Sequence, residues 1–196
     1  HKQALLDQTA QLNFVDNLIL HDCNKPFHFE NIDTVFSNIL YWLNEPLEVL
    51  GRIEDNLASG GRIVLAFPNP RFPEYCRSYR KDTPMWKLLN RGRADTLMWF
   101  MDIDKLHQSL SHSSLRISRA ETYLCKRTLQ VWDIGLRLIS PFLIEMSQAI
   151  DPSLRSKIKL QWCDMFMTLI NELMEHDILY GPQEGAFNFV VLEKTS

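Results

Sequence analysis

The chain has 196 residues, of which 45% are hydrophobic and 23% are charged, as in an ordinary globular protein with one sizeable core. Its formal net charge of −3 gives no basic excess for a nucleic-acid partner and no polybasic run for an anionic membrane surface. No apolar run approaches the roughly 18 residues that span a bilayer, so we expect no integral membrane segment.

The four cysteines are widely separated, at Cys23, Cys76, Cys125 and Cys163. None of them belongs to a CxxC pair, so the sequence predicts neither a zinc site nor a disulfide framework. Reduced thiols fit the cytoplasm best, and a cytoplasmic location is therefore expected. No other metal site is predicted.

Periodicity and turn residues divide the first third of the chain into alternating elements. The predicted elements are a helix over residues 2–12, strands over 17–21 and 32–37, a helix over 45–57 and a strand over 62–67. Pro46 suits the first turn of its helix, where the missing N–H costs nothing. Gly60-Gly61 is expected to close that helix in a left-handed cap.

The apolar patterns indicate how these elements pack. The helix over 45–57 presents one apolar face, made by Leu47, Leu50, Ile53 and Leu57. The strand over 62–67 is almost continuously apolar, which is typical of a parallel sheet covered on both faces. The strands over 17–21 and 32–37 are joined too closely to be parallel neighbours. They form either an antiparallel pair or two parallel strands separated by a strand from elsewhere.

The remainder of the chain contains longer helices. The predicted elements are a partly helical excursion over residues 68–96, a helix over 102–111, a strand over about 115–125, helices over 129–149 and 153–176, and a strand over 186–192. The first of the two long helices is expected to bend or break at Pro141.

The second long helix has a broad apolar face, formed by Ile158, Trp162, Met165, Phe166, Leu169 and Leu173. Packing against the sheet is the expected role of the two helices, because most apolar helical faces belong to a core. A lid over a lipid-like acceptor and a dimer surface are the alternatives, and a homo-oligomer therefore stays open.

The stretch from Asp33 to Pro70 contains an ordered set of short motifs. They are Asp33 at the start of a strand, Ser37-Asn38, Tyr41-Trp42, the turn Glu45-Pro46, and Leu57 followed by Gly60-Gly61. Their order resembles the central part of the class I S-adenosylmethionine-dependent methyltransferases, in the branch that includes trans-aconitate methyltransferases. The flanks agree, since 18–22 is similar to the family's third strand and 116–125 and 186–192 are similar to its sixth and seventh strands.

The resemblance covers about residues 2–72 and 100–196 and implies an α/β fold. The expected fold is part of a Rossmann-like methyltransferase sheet, with the later strands, an antiparallel last strand and additional C-terminal helices. Residues 1–196 would form a single domain, with insertions over 68–100 and 129–176 covering the acceptor side. Because no glycine precedes Gly51, the family's first strands and its glycine-rich turn are expected upstream of His1. One departure is the run 111–114, SHSS, where the family usually has a glycine.

The resemblance also implies where the cofactor S-adenosylmethionine would bind, at the carboxyl ends of the strands. Asp22 would accept a hydrogen bond from the adenine amino group, and the backbone N–H of Cys23 would donate to the ring. The backbone carbonyls of Ser37, Asn38 and Ile39 would face the ammonium group. The structural alternatives are that Asp22 caps its own turn and that Ser37-Asn38 forms an Asx-type turn.

Four residues are candidates for substrate binding: Tyr41, Trp42, Arg71 and Tyr75. The resemblance implies that Tyr41 and Trp42 shield the sulfonium or line the acceptor pocket, where an aromatic ring over a cation gains about 0.5–2 kcal/mol. For Trp42 alone, core packing is the favoured interpretation. Arg71 and Tyr75 begin a segment of interleaved aromatics and arginines, completed by Arg77, Tyr79, Arg80, Trp86, Arg91 and Arg93. That segment either binds a carboxylate or phosphate of the acceptor or forms a solvated face.

The implied function is methyl transfer from S-adenosylmethionine to a small-molecule acceptor, with no nucleic-acid partner. A general base is needed only for a poorly acidic acceptor. A structural role is the favoured interpretation for His21, His28, His107, His112 and His176, and His21 is the least unlikely base because it precedes Asp22. The alternative is a non-catalytic binding or scaffold module that retains part of the fold. A nicotinamide-dependent Rossmann enzyme is a third and weaker hypothesis. The chain by itself is expected to bind the cofactor weakly or not at all.

Overall fold

The computed structural model of the protein describes residues 3–10, 15–77, 99–180 and 185–195. In chain order the elements are α1 (Gln3–Ala10), β1 (Ile32–Ser37), a 3-10 turn (Leu40–Trp42), α2 (Pro46–Asn56), β2 (Leu57–Pro68), α3 (Arg71–Arg77), α4 (Ile103–Ser109), β3 (Leu115–Tyr123), α5 (Lys126–Gln130), a π-helical stretch (Val131–Leu136), α6 (Arg137–Ala149), α7 (Pro152–Tyr180) and β4 (Phe187–Lys194). This order confirms the predicted α/β class.

The four strands form one mixed sheet in the order β1-β2-β4-β3. β1 and β2 run parallel, and β4 lies between β2 and β3, antiparallel to both. The predicted antiparallel last strand is therefore confirmed. Phe187, at the start of β4, pairs with Pro68 at the end of β2 and with Tyr123 at the end of β3. The ends of β1, β2 and β3 and the start of β4 thus share one edge of the sheet, which we call the carboxyl edge.

One face of the sheet carries the main core. Ile63, Leu65 and Phe67 of β2 are fully buried there, with Val190 and Leu192 of β4 beside them. Side chains of α2 and α4 complete this cluster. Complete burial of each such side chain contributes about 1.5–3 kcal/mol, so this layer supplies most of the apolar stabilisation around the sheet.

The opposite face of the sheet is only partly covered. Val64 and Ala66 are half-buried, and Phe36, which pairs with Val64, is 65% exposed. The prediction of cover on both faces is therefore wrong for the described residues. The reason is that α2 and α4 both join the cluster on the first face.

α2 begins at Pro46, as predicted, and buries Pro46, Val49, Leu50 and Ile53. Leu47, which the sequence predicts on this face, is 40% exposed. Positions three and four residues apart lie on one side of a helix, and counting from Pro46 selects Val49 instead of Leu47.

The double glycine does not cap α2, contrary to the prediction. The residue after the helix is Leu57, whose backbone is already extended (φ −73°, ψ 141°). Gly60 lies further on, inside β2, with φ 74° in the left-handed region, where the register between β1 and β2 shifts. A Cβ on Gly61 would lie 2.9 Å from the carbonyl oxygens of Ala58 and Ile32. The two glycines therefore shape a bulge in the strand.

Residues 17–21 do not form a strand in the structure, so the predicted strand is not observed and an antiparallel pair with β1 is excluded. Ile19 and Leu20 are 59% and 53% exposed. Strand geometry requires ladder hydrogen bonds to a neighbour. Among the described residues β1 pairs with β2 alone. The described sheet therefore offers residues 17–21 no neighbouring strand for ladder hydrogen bonds.

Glu54 ties α2 to the two antiparallel strands. Its carboxylate accepts hydrogen bonds from Ser113 Oγ (2.7 Å) and from Ser114 N and Oγ (both 2.6 Å). Lys194 Nζ donates to the carbonyl oxygens of Glu54 (2.7 Å) and Leu57 (2.9 Å). Burial raises the pKa of Glu54, but the hydrogen bonds outweigh it and hold the pKa below the usual 4.5. Ser113 and Ser114 lie in the run 111–114, where the family that the sequence resembles usually has a glycine. They donate hydrogen bonds to a carboxylate of α2.

The C-terminal helices differ from the prediction in two ways. The chain adopts π-helical geometry over Val131–Leu136, and α6 then continues through Pro141, so the interruption lies upstream of the proline. Among the described side chains of α6 and α7, Ser147 alone is buried. Most of their described side chains therefore lie outside the core, whereas Leu129, the first residue of the predicted helix over 129–149, is fully buried in a second cluster with Phe72 and Tyr75. Within the described segments, no helix is long and apolar enough to cross a membrane.

Replacing Gly61 by alanine is expected to destabilise the protein more than replacing Gly60. Gly61→Ala drives a methyl group against two backbone carbonyls, which costs about 2–4 kcal/mol. Gly60→Ala meets open space and loses only the left-handed preference, about 1 kcal/mol. Urea unfolding of the two variants measures the difference, and equal losses would contradict the close approach at Gly61.

The Glu54 cluster is expected to make stability depend on acid pH. Because the folded pKa lies below 4.5, its contribution is present above that value and is lost as the pH falls through the lower folded pKa. Glu54→Gln should lose stability at neutral pH and lose less on acidification than the wild type. Urea unfolding at neutral pH and at about pH 3.5 measures both effects. Asp55→Asn, an exposed neighbour on α2, is the control, and parallel pH curves for wild type and Glu54→Gln would refute the assignment.

Candidate functional site

Four segments meet at the carboxyl edge of the sheet. They are the turn after β1 (38–45), the start of α3 (69–71), the link between β3 and α5 (124–125) and the start of β4 (185–187). In open α/β sheets, ligands bind outside the carboxyl ends of the strands. The carboxyl edge is therefore the candidate site.

Two buried asparagines fasten these segments together. Asn69 Nδ2 donates to Gly185 O (2.9 Å) and to Asn188 Oδ1 (3.1 Å). Asn69 Oδ1 accepts from Arg71 N (3.0 Å), and Asn188 Nδ2 donates to Met101 O (2.7 Å). Both side chains are almost fully buried, where an unsatisfied amide would cost about 1–3 kcal/mol. The pair therefore fixes the start of β4 against the end of β2.

Aromatic side chains converge on Phe187. Its ring lies edge-on to Phe72 at 5.3 Å and to Tyr41 at 6.4 Å, measured between ring centroids. Tyr123 lies 5.6 Å away in a tilted arrangement, and Tyr41 in turn contacts Trp42 at 5.4 Å. We call these five residues the aromatic cluster. Such ring pairs contribute about 0.5–1.5 kcal/mol each beyond burial, so the cluster is a preorganised surface.

The outer members of the aromatic cluster face solvent. Trp42 is 45% exposed and Tyr123 is 38% exposed, so the prediction that Trp42 is core packing is wrong. Partial burial raises the pKa of Tyr123, with a smaller contribution from Tyr41. The Tyr123 phenol therefore keeps its proton at neutral pH and can donate a hydrogen bond.

Gly185 allows β4 to begin beside the end of β3. A Cβ at this position would overlap the backbone nitrogen and oxygen of Tyr123, and Gly185 N donates to Thr122 Oγ1 (3.2 Å). Only glycine permits this approach. Gly185 and the two asparagines are not predicted from the sequence. The available signal was Asn188, a residue type depleted in strands, within an apolar strand.

The predicted cofactor residues after β1 lie at the carboxyl edge. Ser37 ends β1 and is buried, and its Oγ accepts the N–H of Ile39 (3.5 Å). Ile39 O accepts the N–H of Trp42 (2.9 Å), and Asn38 is exposed. The hydrogen bonds of Ser37 and Ile39 match the structural alternative, which is a local turn. Asn38, between them, is exposed at the carboxyl edge.

Asp22 and Cys23 lie in a turn that docks beside the same edge. Asp22 Oδ1 accepts hydrogen bonds from Asn24 N (3.0 Å) and Nδ2 (3.1 Å). These bonds lower the pKa of Asp22, so its carboxylate is ionised at neutral pH. Asn24 Oδ1 accepts from Asn44 N (3.1 Å), in the turn after β1, and Cys23 packs against the core. The turn cap is thus observed, and the cofactor role of Asp22 stays a prediction.

Arg71 and Tyr75 both lie on α3 but differ in exposure. The Arg71 side chain is exposed, whereas Tyr75 is buried in a small cluster with Phe72. Lys126 Nζ lies 5.9 Å from the centroid of the Tyr75 ring, and Gln130 Nε2 donates to Tyr75 O (3.2 Å). Tyr75 therefore anchors α3 to α5. The other predicted residues of this segment, Tyr79, Arg80, Trp86, Arg91 and Arg93, lie outside the described residues.

His21 has a structural environment in the Asp22 turn. Its Nε2 bonds to Lys25 O (3.2 Å), and its ring lies edge-on to Phe27 at 6.1 Å between centroids. These contacts account for the position of the ring without a catalytic role. The described part of the chain holds no group of three or more side chains that could bind a metal.

The carboxyl edge therefore combines three chemical features. It has the aromatic cluster, the phenol hydroxyls of Tyr41 and Tyr123, and the ionised carboxylate of Asp22 nearby. Aromatic faces attract cations and flat rings, and a carboxylate accepts hydrogen bonds from amino groups. The edge suits a ligand that has a flat part, a cationic part and an amino group.

Comparisons with known proteins give a likeness of fold. A scan against protein-family models and a search of curated proteins each gave no match. The plantazolicin methyltransferase BpumL, in complex with a desmethylPZN analogue and SAH, has a TM-score of 0.53 at 17% identity, over 100% of this chain and 65% of that chain. A candidate methyltransferase in complex with the Trm112 methyltransferase activator of Haloferax volcanii has a TM-score of 0.53 at 14% identity, over 99% and 69%.

A third similar structure has a different activity. The [4+2]-cyclase SpnF has a TM-score of 0.52 at 13% identity, over 98% of this chain and 62% of that chain. At these identities the likeness concerns the fold. The chain has the fold of class I methyltransferases, as the resemblance predicted, and it spans about 65% of the length of BpumL.

Loss of either buried asparagine is expected to destabilise the carboxyl edge. Asn69→Ala and Asn188→Ala each leave buried partners unsatisfied, at about 1–3 kcal/mol. The double variant should lose less than the sum, because the two share a hydrogen bond. Urea unfolding in a double-mutant cycle measures the coupling, with the exposed Asn38→Ala as control. Strict additivity would show that the Asn69–Asn188 bond contributes nothing.

Proposed function

We propose that this chain is part of an S-adenosylmethionine-dependent methyltransferase with a small-molecule acceptor, and that the aromatic cluster forms its acceptor side. The observation that supports this most is the place of the cluster, at the carboxyl edge of a sheet whose fold is shared with methyltransferases. Because the chain spans about 65% of BpumL, the proposal concerns the activity of the whole protein.

The residues of the carboxyl edge fit such a cofactor. S-adenosylmethionine supplies a methyl group on a positively charged sulfur, which is already activated for transfer. The ionised Asp22 would accept from the adenine amino group, and the Cys23 N–H would donate to the ring. The exposed Asn38, flanked by Ser37 and Ile39, would turn its carbonyl to the ammonium group, which is a donor only.

The aromatic cluster would hold the acceptor. Tyr41 and Trp42 would lie near the sulfonium, since an aromatic face stabilises a cation. Tyr123, protonated at neutral pH, would orient the acceptor by donating a hydrogen bond and would be a poor base. Arg71 would attract a carboxylate on the acceptor, while Tyr75 would hold α3 in place. Alignment of the acceptor with the methyl group is the main contribution such a site makes to the rate.

A second candidate is a protein that binds the ligand without methylating anything. The observation that favours it is that this fold is not tied to methyl transfer, since SpnF, a [4+2]-cyclase, has a TM-score of 0.52 to this chain. A shared fold does not determine the reaction. Binding and turnover must therefore be measured separately.

The test is calorimetry with S-adenosylhomocysteine, on the product of the complete open reading frame. We expect binding, and we expect Asp22→Asn to weaken it roughly tenfold, because a hydrogen bond to a charged group contributes about 1.5–3 kcal/mol. Asp16→Asn, an exposed carboxylate earlier in the chain, is the matched control. Transfer of a labelled methyl group to carboxylates, phenols or isoprenoid-like compounds then measures turnover.

Each result has a distinct meaning. Binding without turnover on any acceptor favours the second candidate. Absence of binding refutes both candidates. Equal binding by wild type and Asp22→Asn would refute the role of Asp22. It would not contradict the proposal that the protein binds S-adenosylmethionine.

A further inference from the structure

The turn that carries Asp22 lies beside the carboxyl edge although no strand leads into it. Residues 17–21 form no strand, so ladder hydrogen bonds do not place the turn. Cys23 and Phe27 pack against the main core. Apolar contacts are non-directional, so these two side chains hold the segment without orienting the Asp22 carboxylate. Its orientation depends on hydrogen bonds, which are directional.

The side-chain amide of Asn24 supplies such bonds at both of its ends. Nδ2 donates to Asp22 Oδ1 (3.1 Å), and Oδ1 accepts from the backbone N–H of Asn44 (3.1 Å). Asn44 lies in the turn after β1, which also carries Asn38 and Trp42. One planar amide therefore links the carboxylate proposed for the adenine amino group to the turn proposed for the ammonium group.

The partners of the Asn24 amide determine which way it points. An amide has one donor end and one acceptor end. If it were turned over, its oxygen would face the Asp22 carboxylate and its NH₂ group would face the Asn44 N–H, and both contacts would be repulsive. The observed orientation satisfies both partners, so asparagine is matched to this position by both of its functional groups.

The backbone of Asn24 is held at both of its polar groups as well. Its N–H donates to Asp22 Oδ1 (3.0 Å), and its carbonyl oxygen accepts from Arg52 Nη1 (3.1 Å). Arg52 belongs to α2, where its Nη2 lies 3.7 Å from Glu48 Oε2. Because α2 is part of the main core, Asn24 is fixed to a rigid element and not only to its own turn.

Both hydrogen bonds from Asn24 reach the same oxygen of Asp22. Oδ1 accepts the backbone and side-chain N–H groups, whereas Oδ2 accepts no hydrogen bond from the residues that the structure describes. The Asp22 side chain is half-buried. Asn24 thus occupies one carboxylate oxygen and leaves the second one for a donor outside the chain.

The charge of Asp22 also depends mainly on Asn24. The backbone N–H of Asn24 lowers the pKa of Asp22 most, and its side-chain amide lowers it next. Burial opposes them, while Lys25 and His21 lower the pKa further. The other charged groups at this turn are Arg52 and Glu48 of α2, which pair with each other. Asn24 therefore stabilises the form of the carboxylate that accepts hydrogen bonds.

We propose that Asn24 is a positioning residue for the ligand, because it presents the second carboxylate oxygen of Asp22 to the amino group of a bound adenine. The inference rests on the proposed function, since it assigns a role to Asn24 within the same site. In this arrangement Asn24 contacts neither the ligand nor the reacting atoms, and it acts through Asp22.

The test is calorimetry with S-adenosylhomocysteine on the product of the complete open reading frame. Asn24→Ala is expected to weaken binding roughly threefold at neutral pH, because Asp22 loses one of the two bonds that orient it. In an Asp22→Asn background the same change should have no further effect, since Asn24 acts through Asp22. Asn17→Ala, an exposed asparagine earlier in the chain, is the matched control.

A second measurement separates orientation from folding. Carbon-13 NMR titration of the Asp22 carboxyl group follows its pKa without any ligand, and in the wild type this pKa is expected below the usual 3.8. Asn24→Ala should raise the pKa of Asp22, and Asn24→Asp should raise it further, because a second carboxylate then faces the first. On acidification both variants should therefore lose binding at a higher pH than the wild type. Circular dichroism checks folding.

Three results would overturn the role of Asn24 alone. The first is wild-type binding that Asn24→Ala leaves unchanged. The second is an equal loss from Asn24→Ala with and without Asp22→Asn, which would indicate a purely structural effect. The third is an unchanged pKa of Asp22 in Asn24→Asp, which would exclude the contact between the two side chains. Absence of binding by the wild type would instead refute the proposed function, and this inference with it.

Discussion

The insertion of β4 between β2 and β3 is the constraint on which the rest of the structure depends. A strand from the end of the chain hydrogen-bonds to both neighbours along its length. It thereby closes the core through Val190 and Leu192 and carries Phe187 and Asn188 to the carboxyl edge. Gly185 sets the point of entry, because only glycine can pass so close to the end of β3. The candidate site therefore exists only once the last strand has docked.

Two polar networks hold opposite ends of this sheet. At one end Glu54 accepts hydrogen bonds from the serines before β3, and Lys194 donates to the carbonyl oxygens of Glu54 in α2 and Leu57 in β2. At the other end Asn69 and Asn188 join β2, β4 and the chain near Met101. Between them lies the apolar layer of the core, whose alternating pattern sets the register of the strands together with the backbone ladder. Satisfied polar groups are directional, so the two networks add to this alignment at the ends of the sheet.

The structure separates two kinds of surface. The carboxyl edge is small, aromatic and partly polar, and it is built from four segments that the sheet brings together. The surface of α7 is long and apolar, and a single helix provides it. The first has the character of a ligand site. The structures similar to this chain include a methyltransferase and a cyclase, so the fold alone does not determine the reaction.

The sequence by itself determined the elements with local signals: α2 from Pro46 and its periodicity, β2 from its apolar run, and the order of motifs from Asp33 to Pro70 that implied the fold. Local spacing and propensity are sufficient there. Tertiary structure alone decided whether residues 17–21 become a strand, since that requires a neighbour. Tertiary structure also decided that Gly60 and Gly61 form a bulge in β2, that much of α7 is exposed, and that Asn69 hydrogen-bonds to Asn188. Those outcomes depend on pairings between residues distant in the chain, which no local pattern encodes.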